Sequence, residues 1–251
     1  MNGSRTARAP RFSIVTATFN AGAALARTLA SIRAQSVREF EWIVVDGGSS
    51  DGSLALIRGA PDVVSDWISE PDEGIADAWN KGLALAAGRF ALVLNAGDTY
   101  DADFLEKISS YCDDDHIACA HARLASPEGK VLGIFRSQPQ KLNRGMYVAH
   151  NWCAVPMALY RKFGPYVKLP LAMDFEWFHR YYRSAGTRGF RVLDAVLGTY
   201  CLGGASDSRF KESFRATERV RVEHGANPFL ARADTWRLCA KHFVRHRILR
   251  Q

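Results

Sequence analysis

Three short runs of apolar residues mark the first hundred positions of the chain. They occupy 12–19, 40–45 and 89–94. Each is rich in β-branched or aromatic residues, as buried strands of a parallel sheet are. Between and beside these runs, apolar residues recur at helical spacing over 23–35, 53–58 and 75–87. Strands that alternate with helices predict βαβ units, and so an α/β fold with a mostly parallel central sheet flanked by helices.

The second half of the chain has a different pattern. Two strand-like segments, 117–124 and 130–135, flank the turn-forming residues 126–129 and predict a hairpin. Farther along, the pattern predicts a helix, a strand and a second helix, over 174–184, 191–200 and 208–224. A less regular half, with a hairpin, a further strand and two helices, therefore follows the regular βαβ half.

The domain organisation follows from these elements, because no repeat or low-complexity linker divides the chain. We predict one domain over 12–235. Its first half (12–105) would bind a nucleotide and its second half (106–235) an acceptor. A flexible basic arm (1–11) would precede the domain, and a basic amphipathic tail (236–251) would follow it.

Polar residues stand where each strand of the first half ends. Asn20 follows the first strand, 46–52 (Asp-Gly-Gly-Ser-Ser-Asp-Gly) the second, and 95–98 (Asn-Ala-Gly-Asp) the third. Any one of them is more often a turn or a helix cap than a ligand site. Ligands of open α/β sheets bind beyond the carboxyl ends of the strands, however, so the three together predict one crevice. The acids, amide and lysine of 70–82 add a polar wall suited to a charged, hydroxyl-rich ligand.

Composition narrows the class of protein. Of 251 residues, 47% are hydrophobic and 24% charged, so a large core is available without disulfides. The five cysteines form no C-x-x-C pair, which argues against a zinc site or a redox motif. No apolar run approaches the ~20 residues of a membrane span, and 1–11 lacks a secretory signal. We therefore expect a cytoplasmic protein.

The net charge of +7 is concentrated near the C-terminus. There, basic residues alternate with aromatic and aliphatic ones; the basic set is Lys241, Arg245, Arg247 and Arg250. Such a segment suits an anionic membrane surface, and a solvated terminal helix explains it equally well. A peripheral position on the inner face of the plasma membrane therefore stays open, and we expect no nucleic-acid partner.

Taken together, these motifs resemble those of family 2 glycosyltransferases with the GT-A fold, most of all the small bacterial enzymes of polysaccharide, O-antigen and glycolipid synthesis. The likeness covers about 12–105 and rests on 13–20, 44–52, 69–82 and 94–98; it is thinner at His150, 172–176 and 203–206. The resemblance implies an inverting enzyme. It would transfer one sugar from a UDP- or dTDP-type donor to a lipid-linked or glycan acceptor.

The resemblance also implies roles for the donor-binding residues. Asp46 would accept a hydrogen bond from a ring N–H of the nucleobase. The backbone around Thr16 and Thr18, with Asn20, would line the base and ribose. Asp77 and Lys81, one helical turn apart, would lie near a sugar hydroxyl and a phosphate, although an exposed ion pair is the plainer explanation.

The Asn95–Asp98 segment falls where the family has its metal-binding D-x-D. Asp98 would hold Mg²⁺ or Mn²⁺ against the donor diphosphate, with the side-chain oxygen of Asn95 or water beside it. The amide at Asn95 departs from the family pattern and weakens the case for metal affinity.

The catalytic base implied by the resemblance is Asp174, and the plainer alternative is a helix N-cap. Glu176, two residues on, should face another side of the helix. A lone histidine such as His150 is more often structural than catalytic. The same holds for the large aromatic residues, namely Trp79, Trp152, Trp177 and Tyr200.

Two other functions stay open at this point. A sugar nucleotidyltransferase uses a similar sheet, yet 19–24 lacks the glycines and arginines of its loop. A catalytically weak nucleotide-sugar-binding homologue, acting as a partner subunit, is favoured only by Asn95. A nicotinamide oxidoreductase is disfavoured because no G-x-G-x-x-G follows a strand.

Overall fold

A computed structural model describes the backbone of residues 9–249 and the side chains of 9–240 except that of residue 205. The strands are β1 (Phe12–Thr18), β2 (Phe40–Asp46), β3 (Asp66–Ser69), β4 (Phe90–Val93), β5 (Thr99–Tyr100), β6 (Ile117–Ala125), β7 (Val131–Phe135), β8 (Cys153–Pro156) and β9 (Phe190–Cys201). The α-helices are α1 (Gly22–Arg33), α2 (Ser53–Arg58), α3 (Ile75–Leu85), α4 (Phe104–Ser109), α5 (Met157–Phe163), α6 (Met173–Ala185), α7 (Ala205–Ser208), α8 (Phe210–Glu223) and α9 (Pro228–Leu249).

The strands form one sheet in the order β3-β2-β1-β4-β8-β6-β9-β5, and β7 pairs with the free stretch of β6. β3, β2, β1 and β4 are parallel throughout, and β6 pairs in parallel with β9. β8, β7 and β5 make antiparallel pairings, and each of these pairings includes at least one strand of the second half. The predicted α/β fold with a mostly parallel sheet is confirmed.

The core lies on both faces of this sheet. Every residue of β1 is buried, which fits a strand covered by helices on both sides. α3 approaches β1 very closely at Gly82, where a methyl group would lie 2.3 Å from Cγ1 of Val15. Glycine is therefore required at this contact, which brings the start of α3 over the carboxyl end of the sheet.

Several elements were not predicted. β3 and β5 have two to four residues, too few for a periodic signal, and α4, α5 and α9 carry mixed patterns. The expected division at 105/106 falls inside α4, and that at 235/236 falls inside α9. Residues 1–8 of the expected arm lie outside the described part of the chain, as do the side chains of 241–251 in the expected tail. In the described part of the chain, no helix has the length and apolarity needed to cross a membrane.

Candidate active site

The carboxyl ends of β1 and β2 form the centre of the predicted crevice. Thr18 and Asp46 are paired in register at these ends. The Asp46 carboxylate is buried and accepts hydrogen bonds from the Ser69 hydroxyl (2.7 Å), the Ser49 backbone N–H (3.1 Å) and the Ser49 hydroxyl. Asp46 is therefore in the expected place, and Ser49 covers it.

The two threonines of β1 differ in their surroundings. The Thr16 hydroxyl is fully buried and accepts a hydrogen bond from the Trp42 indole at 2.9 Å, so this side chain belongs to the core. The expectation that the backbone around Thr16 lines a ligand stays a prediction. The Thr18 hydroxyl is buried at the strand end, and the described residues offer it no hydrogen-bond partner. An unsatisfied buried hydroxyl is costly, which makes Thr18 a candidate ligand contact.

Asn20 connects the loops that follow β1 and β2. Its φ of 46° lies in the left-handed region, which asparagine tolerates better than most residues. Its side-chain oxygen accepts from the Ser50 backbone N–H (2.9 Å), and its own N–H donates to Ser49 Oγ (2.7 Å). Asn20 thus shapes the rim of the crevice.

Phe19 is a site candidate that sequence reasoning missed. The ring is 63% exposed, and it lies beside Gly47, where a Cβ would be 3.3 Å from the Phe19 ring and 2.7 Å from Asp72 Oδ2. An exposed aromatic ring between two polar loops suits a stacked base. The available sequence signal was the placement of an aromatic residue directly before Asn20, at the end of an otherwise buried strand.

The start of α3 holds a network of charged side chains. The Asp77 carboxylate lies 2.8 Å from Lys168 Nζ and 3.2 Å from Lys81 Nζ, and Lys81 also pairs with Glu70 at 2.7 Å. The hydrogen bond from Lys168 is the largest cause that lowers the pKa of Asp77, to about 2. Asp77 and Lys81 therefore lie in contact, as expected. They belong to a larger network of charges and do not form the isolated surface ion pair of the alternative explanation. Lys168, from the second half, was missed.

The loop after β4 carries Asn95 and Asp98. The side-chain oxygen of Asn95 accepts a hydrogen bond from the Trp79 indole at 3.2 Å. Asp98 is buried and accepts from the Cys201 backbone N–H at 2.8 Å and from the Asn151 side-chain amide. Burial raises the pKa of Asp98 to about 7, since hydrogen bonds from neutral donors offset only part of the lost hydration.

The donors near Asp98 fit a cation only if a ligand supplies most of the coordination. The described residues contain no cluster of three His, Cys, Asp or Glu side chains able to hold a metal. Mg²⁺ is commonly bound by one or two carboxylates together with substrate phosphates and water, which a single carboxylate such as Asp98 allows. A divalent cation would also favour the ionised form of this buried acid.

Asp174 and Glu176 face different surroundings at the start of α6. Glu176 is buried and pairs with Arg180 (2.9 Å) and more distantly with His224 (3.6 Å). Asp174 is half-buried, and among the described residues its carboxylate accepts a hydrogen bond only from the next backbone N–H. The helix N-cap is Ala172, so the alternative that Asp174 caps the helix is wrong. Of the two acids, Asp174 is the one left for a ligand.

Tyr200 connects the two halves of the candidate site. Its pKa is raised well above the ordinary value by burial first, and then by the negative charges of Asp207, Asp98 and Asp174. Its hydroxyl donates a hydrogen bond to Asp207 at 3.2 Å. Asp98 accepts a hydrogen bond from the N–H of the next residue, Cys201, and another from Asn151. His150, beside Asn151, packs on Phe178, one turn after Asp174 in α6, so the His150–Asn151 segment joins the loop of Asp98 to the first turns of α6.

His150 belongs to the buried core next to the candidate site. It is buried against the Trp79 and Phe178 rings, and its Nε2 lies 2.9 Å from the Tyr166 hydroxyl. Asn80 of α3 holds both the N–H and the carbonyl of Tyr166, at 2.9 and 2.8 Å. His150 is thus part of the core that joins the halves. Trp152 and Trp177 are also fully buried, which leaves neither free to pack on a sugar.

Solved structures share this fold. The S. aureus TarS 1-349 structure with UDP-GlcNAc superposes with a TM-score of 0.65 at 18% identity, over 94% of this chain and 72% of that one. The mannosyltransferase PcManGT from Pyrobaculum calidifontis, in complex with GDP-Man and Mn²⁺, gives a TM-score of 0.62 at 18% identity, over 93% and 75%. The GT-A fold predicted from the sequence is thereby confirmed.

Sequence relatives match mainly over part of the chain. A PGL/p-HBAD biosynthesis glycosyltransferase of Mycobacterium tuberculosis is 39% identical over 107 residues, which is 41% of this chain and 42% of the relative. An uncharacterized glycosyltransferase of the same species is 42% identical over 93 residues, or 37% and 36%. The match thus spans about two fifths of these relatives. The family model for glycosyl transferase family 2 matches residues 13–190. The chain therefore belongs to glycosyl transferase family 2 and has the GT-A fold.

Proposed function

We propose that this transferase moves one sugar from a UDP- or dTDP-linked donor to a lipid-linked or glycan acceptor, with inversion at the anomeric carbon. The observation that carries the proposal is that the His150–Asn151 segment contacts both Asp98 and helix α6, whose first turn carries Asp174. One carboxylate comes from the donor-binding half and the other from the second half. This is the arrangement that an in-line displacement between two bound substrates needs.

The donor base would lie at the ends of β1 and β2. Asp46 would accept a hydrogen bond from the ring N–H of uracil or thymine. A carboxylate has about four acceptor sites, and three of those on Asp46 are occupied, so one remains for the base. Thr18 offers an unpaired hydroxyl, and Phe19 an exposed ring for stacking. UDP-GlcNAc in TarS and GDP-Man in PcManGT show that relatives of this fold bind nucleotide sugars.

The diphosphate would lie between the start of α3 and the loop after β4. Lys81 can turn from Glu70 toward a phosphate, while Asp77 stays ionised at any physiological pH and accepts from a sugar hydroxyl. Asp98 would hold Mg²⁺ or Mn²⁺ with the phosphates, and such a cation stabilises negative charge on a leaving diphosphate. Asn95 would line the same loop.

Asp174 would act as the general base. Its carboxylate takes the proton of the acceptor hydroxyl as the acceptor oxygen bonds to the anomeric carbon. The bond from that carbon to the phosphate oxygen breaks on the opposite side, and its electron pair leaves with the nucleoside diphosphate. A single displacement of this kind inverts the anomeric configuration.

The test is a screen of nucleotide sugars for nucleoside diphosphate release, with and without Mg²⁺ or Mn²⁺ and a lipid extract. Asp174→Asn should lower turnover at least ~100-fold, as loss of a general base does, and leave donor affinity within about twofold. Asp194→Asn, a carboxylate on the exposed side of β9, is the matched control and should keep full turnover.

Two outcomes would contradict parts of the proposal. Lost donor binding in Asp174→Asn would remove the base assignment. Tight donor binding by the unaltered protein, with no turnover on any acceptor, would instead indicate a nucleotide-sugar-binding partner subunit. A requirement for a nucleoside triphosphate, with release of pyrophosphate, would indicate a nucleotidyltransferase.

A further inference from the structure

Three of the four large apolar side chains described in α9 point outward. Phe229, Leu230 and Trp236 are 84%, 67% and 70% exposed. The inward side has the partly buried Leu238 and otherwise small or polar residues, among them the buried Ala231 and Thr235. A surface helix of a monomeric protein has the opposite arrangement, because apolar side chains gain most from burial.

Polar contacts hold the inward side of α9 against the rest of the protein. Asp234 accepts from Arg221 of α8 (2.9 Å) and from Arg144 (3.1 Å), and Arg221 also donates to the Ala231 carbonyl (3.4 Å). These buried polar contacts fix the rotation of α9 about its axis. The exposure of the aromatic residues is therefore set by the fold and is not an accident of one side-chain rotamer.

The outward residues form a stripe along the helix. Phe229, Ala233, Trp236 and Ala240 follow one another at i, i+4, i+7 and i+11, all exposed, which places them on one face. Leu230 lies at one edge of this face. We call Phe229, Leu230, Ala233, Trp236 and Ala240 the outer stripe.

Cationic side chains border the outer stripe. Arg232 and Arg237 of α9 are exposed on either side of it. On α8, Lys211, Arg215 and Arg219 are exposed at i, i+4 and i+8, so they too form one row. A groove of about 930 Å³ separates the two helices, and Trp236 and Arg232 line it together with all three cations of that row.

The groove is cationic on balance. Five basic side chains line it, against the three acids Glu212, Glu218 and Glu223. Glu212 is already paired with Arg209. Positive charge beside exposed aromatic and aliphatic groups is the combination that anionic bilayer surfaces attract, since the rings enter the headgroup layer while the cations meet phosphates.

We propose that the outer stripe of α9 and the cationic row of α8 dock this transferase on an anionic lipid bilayer. The surface shares α9 with part of the predicted 236–251 tail, and it needs no side chain of residues 241–251. An anionic bilayer is the partner that we propose, because its charge complements the cationic side chains of this surface.

One wall of the groove leads toward the candidate active site. Leu169, Pro170 and Leu171 line the groove, and the same segment leads directly into the first turn of α6, where Asp174 lies. A lipid-linked acceptor held in the bilayer would therefore reach the site along this segment. This second statement rests on the proposed function, whereas the docking itself does not.

The test is sedimentation of the full chain with phosphatidylcholine vesicles, with or without phosphatidylglycerol, in the absence of donor and acceptor. We expect binding only to the anionic vesicles, weakening as NaCl is raised. Arg215→Gln/Arg219→Gln should lower the partition coefficient roughly 20-fold, since each cation near the surface contributes about fivefold. Phe229→Ala/Trp236→Ala should lower it at least ~10-fold, because both rings lose their place in the headgroup layer.

Matched controls separate the surface from general charge and hydrophobicity. Val131→Ser/Ile134→Ser removes two exposed apolar residues of β7, and Arg38→Gln/Arg58→Gln removes two exposed cations near the donor half. Both should bind like the unaltered chain. All four variants change exposed side chains, and their far-ultraviolet circular dichroism and melting curves should match.

Three results would overturn the proposal. They are equal binding to neutral and anionic vesicles, equal losses in the outer-stripe and β7 variants, and a concentration-dependent dimer in sedimentation velocity that Phe229→Ala/Trp236→Ala abolishes. The last would identify a second copy of the chain as the occupant. Binding that survives all tests without any sugar transfer would leave the docking in place and count against the proposed function alone.

Discussion

The buried His150 should make the fold sensitive to acid. Its ring lies between Trp79 and Phe178 and bonds to the Tyr166 hydroxyl. Burial lowers the pKa of His150 to about 4, and the nearby Asp174 charge raises it only in part. The informative perturbation is His150→Gln, which keeps a polar group for Tyr166 and cannot take up a proton in this range.

The direction and size of this effect of pH on stability follow from the pKa values of His150 in the folded and the unfolded chain. In the unfolded chain its pKa is near the ordinary 6.5, so on acidification the unfolded state binds the proton first. The stability that neutral His150 provides is present in full above pH ~6.5 and is lost as the pH falls toward 4. Roughly 2.5 pH units at about 1.36 kcal/mol per unit give a loss of about 3 kcal/mol.

The assay is urea unfolding of both proteins at several pH values from 4 to 7.5. His150→Gln should be the less stable protein at pH 7.5, because it loses ring packing. The difference in free energy of unfolding should then move by about 3 kcal/mol in favour of the variant by pH 4. Burial lowers the pKa of His179 as well, to about 4, but this residue is present in both proteins and its effect cancels.

His116→Gln is the control, since His116 is partly exposed and paired with Asp113. An equal shift in this control would show that the effect does not come from the buried site of His150. A pH-independent difference between His150→Gln and the unaltered chain would refute the reasoning, because it would mean that His150 is protonated equally well in both states.

Two further predictions concern packing near the site. Gly198→Ala should destabilise the fold by at least ~2 kcal/mol in thermal unfolding, because a Cβ there would lie 2.2 Å from the Thr99 carbonyl oxygen; Gly204→Ala, with no atom within 4 Å, should change little. Trp79→Phe should weaken donor binding in calorimetry about 5-fold, because the Asn95 side chain loses its 3.2 Å hydrogen bond of roughly 1 kcal/mol; an unchanged donor affinity would show that Asn95 needs no positioning.

The donor half was predictable because its signals are local. The apolar runs that became β1, β2 and β4 are short and bounded by polar residues, and parallel strands must bring their carboxyl ends to one edge. Asp46 and the loop of Asp98 therefore follow neighbouring parallel strands, as expected, while their place in one ligand crevice stays a prediction. The contact of the Thr16 hydroxyl with the Trp42 indole was not predicted, because strand alternation alone does not tell which neighbour a buried hydroxyl meets.

The second half was less predictable, because its contacts join residues far apart in the chain. Lys168 reaches Asp77 across 91 positions, and Asn80 holds the backbone of Tyr166. No local periodicity carries such information. The outer stripe was missed for a related reason, since only the packing of Asp234 against Arg221 shows which side of α9 faces outward.

The sequence by itself determined the α/β class, the family and the polar residues at the ends of the strands, because these depend on local periodicity and on motifs of fixed spacing. Only the tertiary structure decided which polar groups are free. It engaged Glu176 with Arg180, left Asp174 with a local contact, and covered Asp46 with Ser49. The physical reason is that a hydrogen bond or ion pair depends on distance and burial in space, and chain position fixes neither.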